Sequence, residues 1–127
     1  MKKAYFGIKF YPDNQNRPLI DAISAALEAQ KIETFCVARD LEKWGEIQFT
    51  NQNMMQLTFA EIDQSDLVVI EMSEKGVGLG IEAGYAVAKG KQLILLIQQG
   101  IELSATMDGI ADRVLYYSDP SQIVINI

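Results

Sequence analysis

Two short runs of consecutive apolar residues, at positions 66–72 and 92–97, constrain the fold of this chain more than any other feature. A strand with one face in water alternates apolar and polar residues, whereas these runs are apolar at nearly every position. Such runs are typical of parallel strands that helices cover on both faces. Between them lies a segment of small residues at 80–88 that suits a helix. The three segments therefore predict a strand–helix–strand unit of a parallel sheet.

The rest of the chain continues this alternation. Strands are predicted at 3–10, 31–38 and 113–117, and helices at 19–30 and 51–64. Shorter helical turns are predicted near 41–44 and at 104–109, a polar loop at 11–18, and an edge strand or short helix at 120–127. This order predicts an α/β fold of the flavodoxin-like (Rossmann-like) type, a doubly wound sandwich with a five-stranded parallel sheet, in one domain over residues 1–127.

The residue types that the chain lacks exclude several kinds of chemistry. It contains no histidine, which excludes Ser-His-Asp and Cys-His catalytic pairs and histidine-ligated zinc. Its one cysteine, Cys36, excludes thiolate metal clusters and an internal disulfide. We therefore expect no metal and no cofactor, and a reducing, cytoplasmic location.

Charge and hydropathy limit the partners. The net charge is −6, which argues against polymeric nucleic acid because a duplex binder needs a basic surface. A small nucleoside or nucleotide is compatible with this charge. No apolar stretch approaches the ~20 residues that span a bilayer, and the N-terminal residues lack the apolar segment of a signal peptide. We therefore expect no membrane partner.

Glu82 is the only charged residue between Lys75 and Lys89. Its neighbours are Gly, Ala, Ile and Tyr, whereas a solvated helix face normally carries several charges. Ligands of doubly wound sheets bind at the carboxyl ends of the strands, where the glycines before Glu82 and the loop at 7–17 both lie. The isolated carboxylate predicts a group that faces a pocket there. The alternative is that Glu82 lies in the first turn of a helix starting at Gly80 and only balances the helix dipole.

The glycines before Glu82 allow three interpretations. The segment Gly78-Leu-Gly80-Ile-Glu-Ala83 fits the loose form of a dinucleotide-binding fingerprint, although it follows a late strand and no acidic residue ends the next one. Glycines at a helix N-terminus also let backbone N–H groups approach an anion or a sugar. The third interpretation is a tight turn that requires positive φ.

Three segments resemble the nucleoside 2-deoxyribosyltransferase superfamily. Residues 76–91, Gly-Val-Gly-Leu-Gly-Ile-Glu-Ala-Gly-Tyr-Ala-Val-Ala-Lys-Gly-Lys, resemble the loop and helix that carry the catalytic glutamate of these enzymes. Residues 5–16, Tyr-Phe-Gly-Ile-Lys-Phe-Tyr-Pro-Asp-Asn-Gln-Asn, resemble the opening strand and loop of the bacterial transferases. Residues 103–112, Leu-Ser-Ala-Thr-Met-Asp-Gly-Ile-Ala-Asp, resemble the related 2′-deoxynucleoside 5′-monophosphate N-glycosidases.

The resemblance implies an enzyme that cleaves the N-glycosidic bond of 2′-deoxynucleosides or of their 5′-monophosphates. Glu82 would attack C1′, and the covalent deoxyribosyl intermediate would pass to another base or to water. Tyr5 would hydrogen-bond near this nucleophile; the alternative for Tyr5 is a core aromatic residue. Ser104 would reach the site from a neighbouring subunit and contact the 5′ end; its alternative is an N-cap.

The implied substrate contacts lie in the two loops at the sheet edge and on the helix before the central strand. Phe10 and Tyr11 would line the base, which aromatic rings can stack on. Lys9 would bind a 5′-phosphate or remain a solvated loop residue. The full set of implied substrate-binding residues is Gly7, Lys9, Phe10, Tyr11, Asp13, Thr58, Gly76, Gly78, Gly80 and Ser104.

The chain departs from the family at two acidic positions. Thr58 and Gly76 stand where relatives carry aspartates that protonate or orient the leaving base, and a glycosidase needs such an acid. Glu61, one helical turn from Thr58, could substitute and completes a predicted catalytic set with Glu82 and Tyr5, while Asp63 and Asp13 are the alternatives for the acid. These departures keep a second hypothesis open, a non-catalytic nucleotide-binding module on the same fold. Glu71, near the end of the central strand, could also face the pocket.

The resemblance further implies a homodimer or larger homo-oligomer in which neighbouring subunits complete each site. The partner of the chain is expected to be a small-molecule nucleoside or nucleotide. Three questions stay open at this point: whether the enzyme transfers the sugar or hydrolyses the bond, which base it recognises, and whether the substrate is a nucleoside or a 5′-monophosphate.

Overall fold

The computed structural model of the protein describes residues 1–126 and contains a five-stranded sheet in the order β2-β1-β3-β4-β5. The strands are β1 (Lys2–Gly7), β2 (Ile32–Phe35), β3 (Leu67–Glu71), β4 (Gln92–Gln98) and β5 (Arg113–Tyr117). All neighbouring pairs are parallel, and this order is that of flavodoxin-like folds. The predicted α/β fold is therefore confirmed. The direction of winding reverses between β1 and β3, which is where such sheets bind ligands.

Helices cover both faces of the sheet. On one face lies α1 (Arg17–Glu28), and on the other lie α2 (Asn51–Gln64), α3 (Val77–Ala88) and the short α4 (Ala105–Asp108). The central strand shows why the apolar runs are needed. Val69 packs on the α1 side, whereas Val68 and Ile70 pack on the α3 side, and all three are fully buried.

Helix α3 begins at Val77, three residues before the predicted start at Gly80. Gly76 is the extended N-cap residue, and Leu79 is buried against the core on the α3 side of the sheet. Burial of Leu79 stabilises a turn that two glycines would otherwise disfavour, because tertiary packing outweighs helix propensity. Glu82 is therefore the sixth helical residue. The prediction that it lies in the first turn is wrong, and the effect of the helix dipole fades beyond that turn.

Two other boundaries differ from the predictions near the functional edge. Strand β1 ends at Gly7, so the residues after it form a loop over the sheet edge. The segment after β2 forms a single π-helical turn, Val37–Leu41, followed by a 3₁₀ turn, Lys43–Gly45. Single π-helical turns are frequent at functional sites.

The C-terminal segment packs as irregular chain around one 3₁₀ turn, Pro120–Gln122. Ile123 and Ile125 are buried in the α1-side core, so the segment closes this face without adding a strand. Of the two predicted alternatives, the edge strand is absent from residues 120–126 and the short helix is the 3₁₀ turn at Pro120–Gln122; residue 127 lies outside the described residues. Over residues 1–126 no helix has the length and apolar content needed to cross a bilayer.

Candidate active site

The carboxylate of Glu82 lies beneath the carboxyl end of β1. Its Oε1 accepts a hydrogen bond of 2.6 Å from the Tyr5 hydroxyl. Tyr5 points from β1 towards the α3 side of the sheet and is 1% exposed, so its hydroxyl is held firmly by the core. Tyr5 on β1 and Glu82 on α3 are 77 residues apart in sequence. Their hydrogen bond fixes the carboxylate at the predicted ligand-binding edge.

Gly7 makes room for this carboxylate. A Cβ at Gly7 would lie 2.9 Å from Glu82 Oε1, closer than a side-chain carbon can approach. A Cβ at Gly78 would lie 3.6 Å from Oε2, an ordinary contact, and one at Gly80 would meet nothing within 4 Å. Of these three glycines, Gly7 is therefore the one that the position of Glu82 requires.

The glycines of α3 fit neither a dinucleotide-binding turn nor a turn that requires positive φ. Gly78 and Gly80 lie inside the helix, so they do not form the phosphate-binding turn of a dinucleotide fold. Gly76 has φ −159°, and positive φ among the described glycines occurs at Gly45, Gly90 and Gly100 instead. The interpretation of a turn that requires positive φ is therefore wrong for this segment.

Burial is the largest cause of the shifts in the pKa values of Glu82 and Tyr5. It raises the pKa of Glu82 from 4.5 to about 7, and the Tyr5 hydrogen bond opposes this rise. The pKa of Tyr5 is raised well above 10.0, first by burial and then by the charge of Glu82. Tyr5 consequently stays neutral and donates its proton to the hydrogen bond. Because Glu82 is weakly hydrated, its ionised form is a reactive carboxylate at neutral pH.

Glu82 lines two adjoining clefts. The first, of about 270 Å³, has largely apolar walls that include Phe10, Met54 and Met55, with Thr58 among its polar residues. The second, of about 260 Å³, is lined by Lys9, Gly76 and Gly78 and shares Ile8 and Phe10 with the first. The carboxylate is thus accessible from an apolar side and from a side that carries a cation.

Lys9 lies at the border of the second cleft. Its Nζ donates to the Lys75 carbonyl at 3.3 Å, and a Cβ at Gly76 would lie 3.6 Å from Nζ. Ser104 lines a third, more open cleft together with Lys9 and Gly76. The Ser104 hydroxyl also accepts a hydrogen bond of 3.4 Å from the Met107 N–H, so it caps α4 in this chain.

Glu61 is placed away from Glu82. Its carboxylate forms a salt bridge of 2.8 Å with Lys3, near the beginning of β1, whereas Glu82 lies at the end of β1. Glu61 does not line either cleft that Glu82 lines. The structure therefore does not support Glu61 as the expected acid. Glu61 lies one helical turn from Thr58, but its side chain points towards the opposite end of β1, where it pairs with Lys3.

Two residues of the first loop also lie apart from Glu82. Tyr11 lines a neighbouring cavity of about 500 Å³ on the α1 side, which shares Lys9 with the second cleft but is not lined by Glu82. Asp13 is exposed and accepts a hydrogen bond of 3.1 Å from the Gln15 N–H, as in an Asx turn. Phe10 is thus the aromatic residue of this loop that the fold brings to Glu82, and neither Tyr11 nor Asp13 reaches it.

Glu71 faces the α1 side as well. Its oxygens accept hydrogen bonds from the Ser73 N–H at 2.5 Å, from the Ser73 hydroxyl at 2.8 Å and from the Tyr117 hydroxyl. Ser73 in turn accepts from the Gln98 N–H at 2.9 Å. This network ties together the ends of β3, β4 and β5, and Glu71 does not line the Glu82 clefts.

Sequence reasoning missed two polar residues of the first cleft, Cys36 and Glu42. Burial raises the pKa of the Cys36 thiol to about 11, so the thiol stays protonated. Glu42 follows the π-helical turn, and its position over the cleft depends on that irregular backbone. A single sequence carries no periodic signal for such a turn. Within residues 1–126, no cluster of three or more acidic, histidine or cysteine side chains is placed to hold a metal ion.

Known proteins resemble this chain in sequence and in fold. No protein-family profile matches it. The rat (Rattus norvegicus) protein named 5-hydroxymethyl-dUMP N-hydrolase is 43% identical over 53 residues, which cover 40% of this chain and 32% of the relative. The chain thus matches about a third of that relative's length.

Two solved structures superpose on nearly the whole chain. The Clostridium botulinum CMP N-glycosidase has a TM-score of 0.67 at 19% identity, covering 95% of this chain and 93% of its own. The 2-deoxyribosyltransferase of Bacillus psychrosaccharolyticus has a TM-score of 0.71 at 13% identity, covering 97% and 93%. At these identities the likeness establishes the fold. Together with the partial sequence match, it confirms the resemblance of this chain to the nucleoside 2-deoxyribosyltransferase superfamily.

Proposed function

We propose that this protein cleaves the N-glycosidic bond of a 2′-deoxynucleoside or of its 5′-monophosphate, with Glu82 as the nucleophile. The observation that carries the proposal is the half-buried Glu82 side chain, whose carboxylate is held by Tyr5 at 2.6 Å and is open to two clefts. The names of the similar proteins, an N-hydrolase, an N-glycosidase and a deoxyribosyltransferase, support the same reaction class.

The hydrogen bond from Tyr5 supports different tasks for the two oxygens of Glu82 in this proposal. Among the described residues, Tyr5 is the hydrogen-bond donor to this carboxylate, and it binds Oε1. Oε2 therefore keeps its lone pairs for attack on C1′ of the sugar. Attack forms a deoxyribosyl ester on Glu82 and releases the base, and a second acceptor then cleaves the ester. Tyr5 orients the carboxylate in both steps.

The two clefts suit the two ends of a nucleotide. The apolar cleft takes the base, which stacks on Phe10, a ring that is 54% exposed in the free protein. The cleft with Lys9 takes the 5′-phosphate, because a Lys ammonium attracts a phosphate as a point charge. Gly76 and Gly78 leave space for the sugar between them. Lys9→Met would therefore remove any preference for a 5′-monophosphate over the nucleoside, while recognition of the base would remain.

The proposal includes a homodimer or larger homo-oligomer. Helix α3 exposes Val77 (84%), Ile81 (46%) and Val87 (42%) on its outer side, together with Gly80 and Gly84. This apolar side is suited to close packing against a second copy, which would bring the Ser104 segment of a neighbour towards the site. A reducing cytoplasmic location belongs to the same proposal, because Cys36 is a buried free thiol.

The test is base release by the wild type and by Glu82→Gln from a panel of deoxynucleosides and their 5′-monophosphates. Glutamine keeps the size of the side chain and an acceptor for Tyr5 but cannot form the ester. We expect release by the wild type and a loss of ~10⁴-fold or more in the variant. Glu61→Gln is the matched control, since that carboxylate lies away from both clefts. Full activity of Glu82→Gln would reject the proposal.

Adding a free acceptor base to the same assay separates transfer from hydrolysis. A new nucleoside indicates transfer, and free deoxyribose or its phosphate indicates hydrolysis. The second candidate function, a non-catalytic nucleotide-binding module, is favoured by Thr58 and Gly76 at the two positions where relatives carry acids. It predicts saturable nucleotide binding by calorimetry without base release, and measurable release would reject it.

A further inference from the structure

The turn after β2 places a second carboxylate over the Glu82 cleft. Among the described residues that line the first cleft, Glu42 and Glu82 are the two acidic ones. They lie on different walls, because Glu42 follows the π-helical turn after β2 whereas Glu82 belongs to α3. Neither the element order nor the family resemblance assigns a role to Glu42.

The backbone that carries Glu42 is anchored by hydrogen bonds on its N-terminal side. The Glu42 N–H donates to the Val37 carbonyl at 3.0 Å, and the carboxylate of Asp40 accepts from the Cys36 N–H at 2.9 Å. Lys43 and Trp44 then adopt positive φ, 49° and 59°, which is strained for residues with side chains. A well-anchored turn that tolerates such strain indicates a position held for a purpose.

The Glu42 side chain is half-buried and not engaged in a salt bridge within the part of the chain that the structure describes. Burial raises its pKa above the ordinary value of 4.5. A bound nucleobase that covers the cleft would exclude more water and raise this pKa further. Glu42 therefore has the properties of a carboxylic acid that can give up a proton inside the cleft.

The other polar side chains of the cleft cannot supply that proton. Thr58 has a hydroxyl, which is not an acid near neutral pH. Tyr5 already donates to Glu82, and its pKa is raised well above 10.0. The pKa of the Cys36 thiol is about 11. Without a proton the departing base would leave as an anion, which is a poor leaving group. A positioned acid that supplies the proton typically raises the rate ~10²–10⁴-fold.

We infer that Glu42 is the general acid that protonates the leaving base, replacing the acids absent at Thr58 and Gly76. This inference rests on the proposed function. As the bond from C1′ to the base nitrogen breaks, its electron pair goes to the base, which takes the Glu42 proton and leaves neutral. Oε2 of Glu82 forms the new bond to C1′. In the second step the Glu42 carboxylate takes a proton from water, whose oxygen attacks C1′ and frees Glu82.

Leaving-group dependence tests this role, because a better leaving group needs less protonation. Wild type, Glu42→Gln and Glu82→Gln are assayed on the best base of the panel and on a derivative that leaves more easily: 7-methylguanine for a purine, 5-fluorouracil for a pyrimidine. Glu46→Gln is the control, since Glu46 is exposed on the same segment and does not line the cleft. Circular dichroism confirms folding of each variant.

We expect Glu42→Gln to lose ~10²-fold or more on the ordinary base and about 10-fold or less on the better leaving group. Glu82→Gln should lose activity on both substrates, and Glu46→Gln on neither. Equal losses of Glu42→Gln on both substrates would assign Glu42 to base binding and overturn the inference, as would no loss on either. If the inference about Glu42 fails in either way while the wild type still releases base, the proposed function remains intact. Absence of release by the wild type from either substrate would refute both.

Discussion

Replacing Glu82 with Gln is expected to stabilise the fold above neutral pH, although it removes the proposed nucleophile. Burial holds the pKa of Glu82 at about 7 in the folded protein, against an ordinary value of 4.5. Between these two pH values the unfolded chain ionises Glu82 first, whereas the folded protein keeps the proton. The stability that Glu82 contributes is therefore present below pH 4.5 and lost as the pH rises to about 7.

The size of this effect follows from the two pKa values. The difference between about 7 and 4.5, at ~1.36 kcal/mol for each pKa unit, gives an upper limit of about 3.4 kcal/mol well above pH 7. About 0.8 kcal/mol of this is already lost at pH 5, so the change between pH 5 and pH 8 is about 2.5 kcal/mol. Glutamine does not titrate, so it avoids this loss.

The assay is urea unfolding of the wild type and Glu82→Gln at pH 5, 6, 7 and 8. The difference between their free energies of unfolding cancels the titration of all other groups and any pH-independent packing effect. We expect this difference to grow in favour of the variant by about 2–3 kcal/mol from pH 5 to pH 8. In a Tyr5→Phe background it should grow further, since the hydrogen bond that lowers the Glu82 pKa is lost. A difference that stays constant within about 0.5 kcal/mol across this range would refute the electrostatic account of the site.

Three further predictions follow from the same geometry. Gly7→Ala would put a Cβ 2.9 Å from Glu82 Oε1, so we expect a folded protein with ~10²-fold lower kcat/KM, and an unchanged kcat/KM would contradict the close contact. The rate of base release should fall as the pH drops below about 7, because Glu82 attacks only when ionised, and Tyr5→Phe should move this limb of the kcat/KM profile to higher pH. Light scattering at micromolar concentration should give the wild type at least the mass of a dimer. Val77→Asp places a charge on the exposed side of α3 and should shift the measured mass towards that of the monomer. A monomeric wild type would refute the proposed assembly.

The sheet could be predicted from the sequence because its signals are local. The runs at 66–72 and 92–97 become β3 and β4, and both are buried on two faces, as continuous apolar sequence predicts. The start of α3 was misplaced because two glycines weaken the local helix signal, while the burial of Leu79 that overcomes it is a tertiary contact.

The site was only partly predictable for a related reason. Glu82 is recognisable because it is isolated among small residues, and its partner Tyr5 follows from the family resemblance. Which loop residues reach the cleft depends on the direction of each side chain, and so Phe10 faces Glu82 while Tyr11 faces the α1 side. Glu42 enters the cleft through a π-helical turn, which has no sequence signature.

Mass spectrometry of the trapped intermediate would show whether Glu82 forms a covalent bond to the sugar. A 2′-fluoro-arabinosyl nucleoside, whose fluorine slows breakdown of the ester, is incubated with the wild type and with Glu82→Gln, and the protein is then digested. We expect a mass increase equal to one fluorinated sugar on the wild-type peptide that contains Glu82, and none in the variant. A sugar adduct on any other residue, or base release by the wild type with full activity retained in Glu82→Gln, would contradict it.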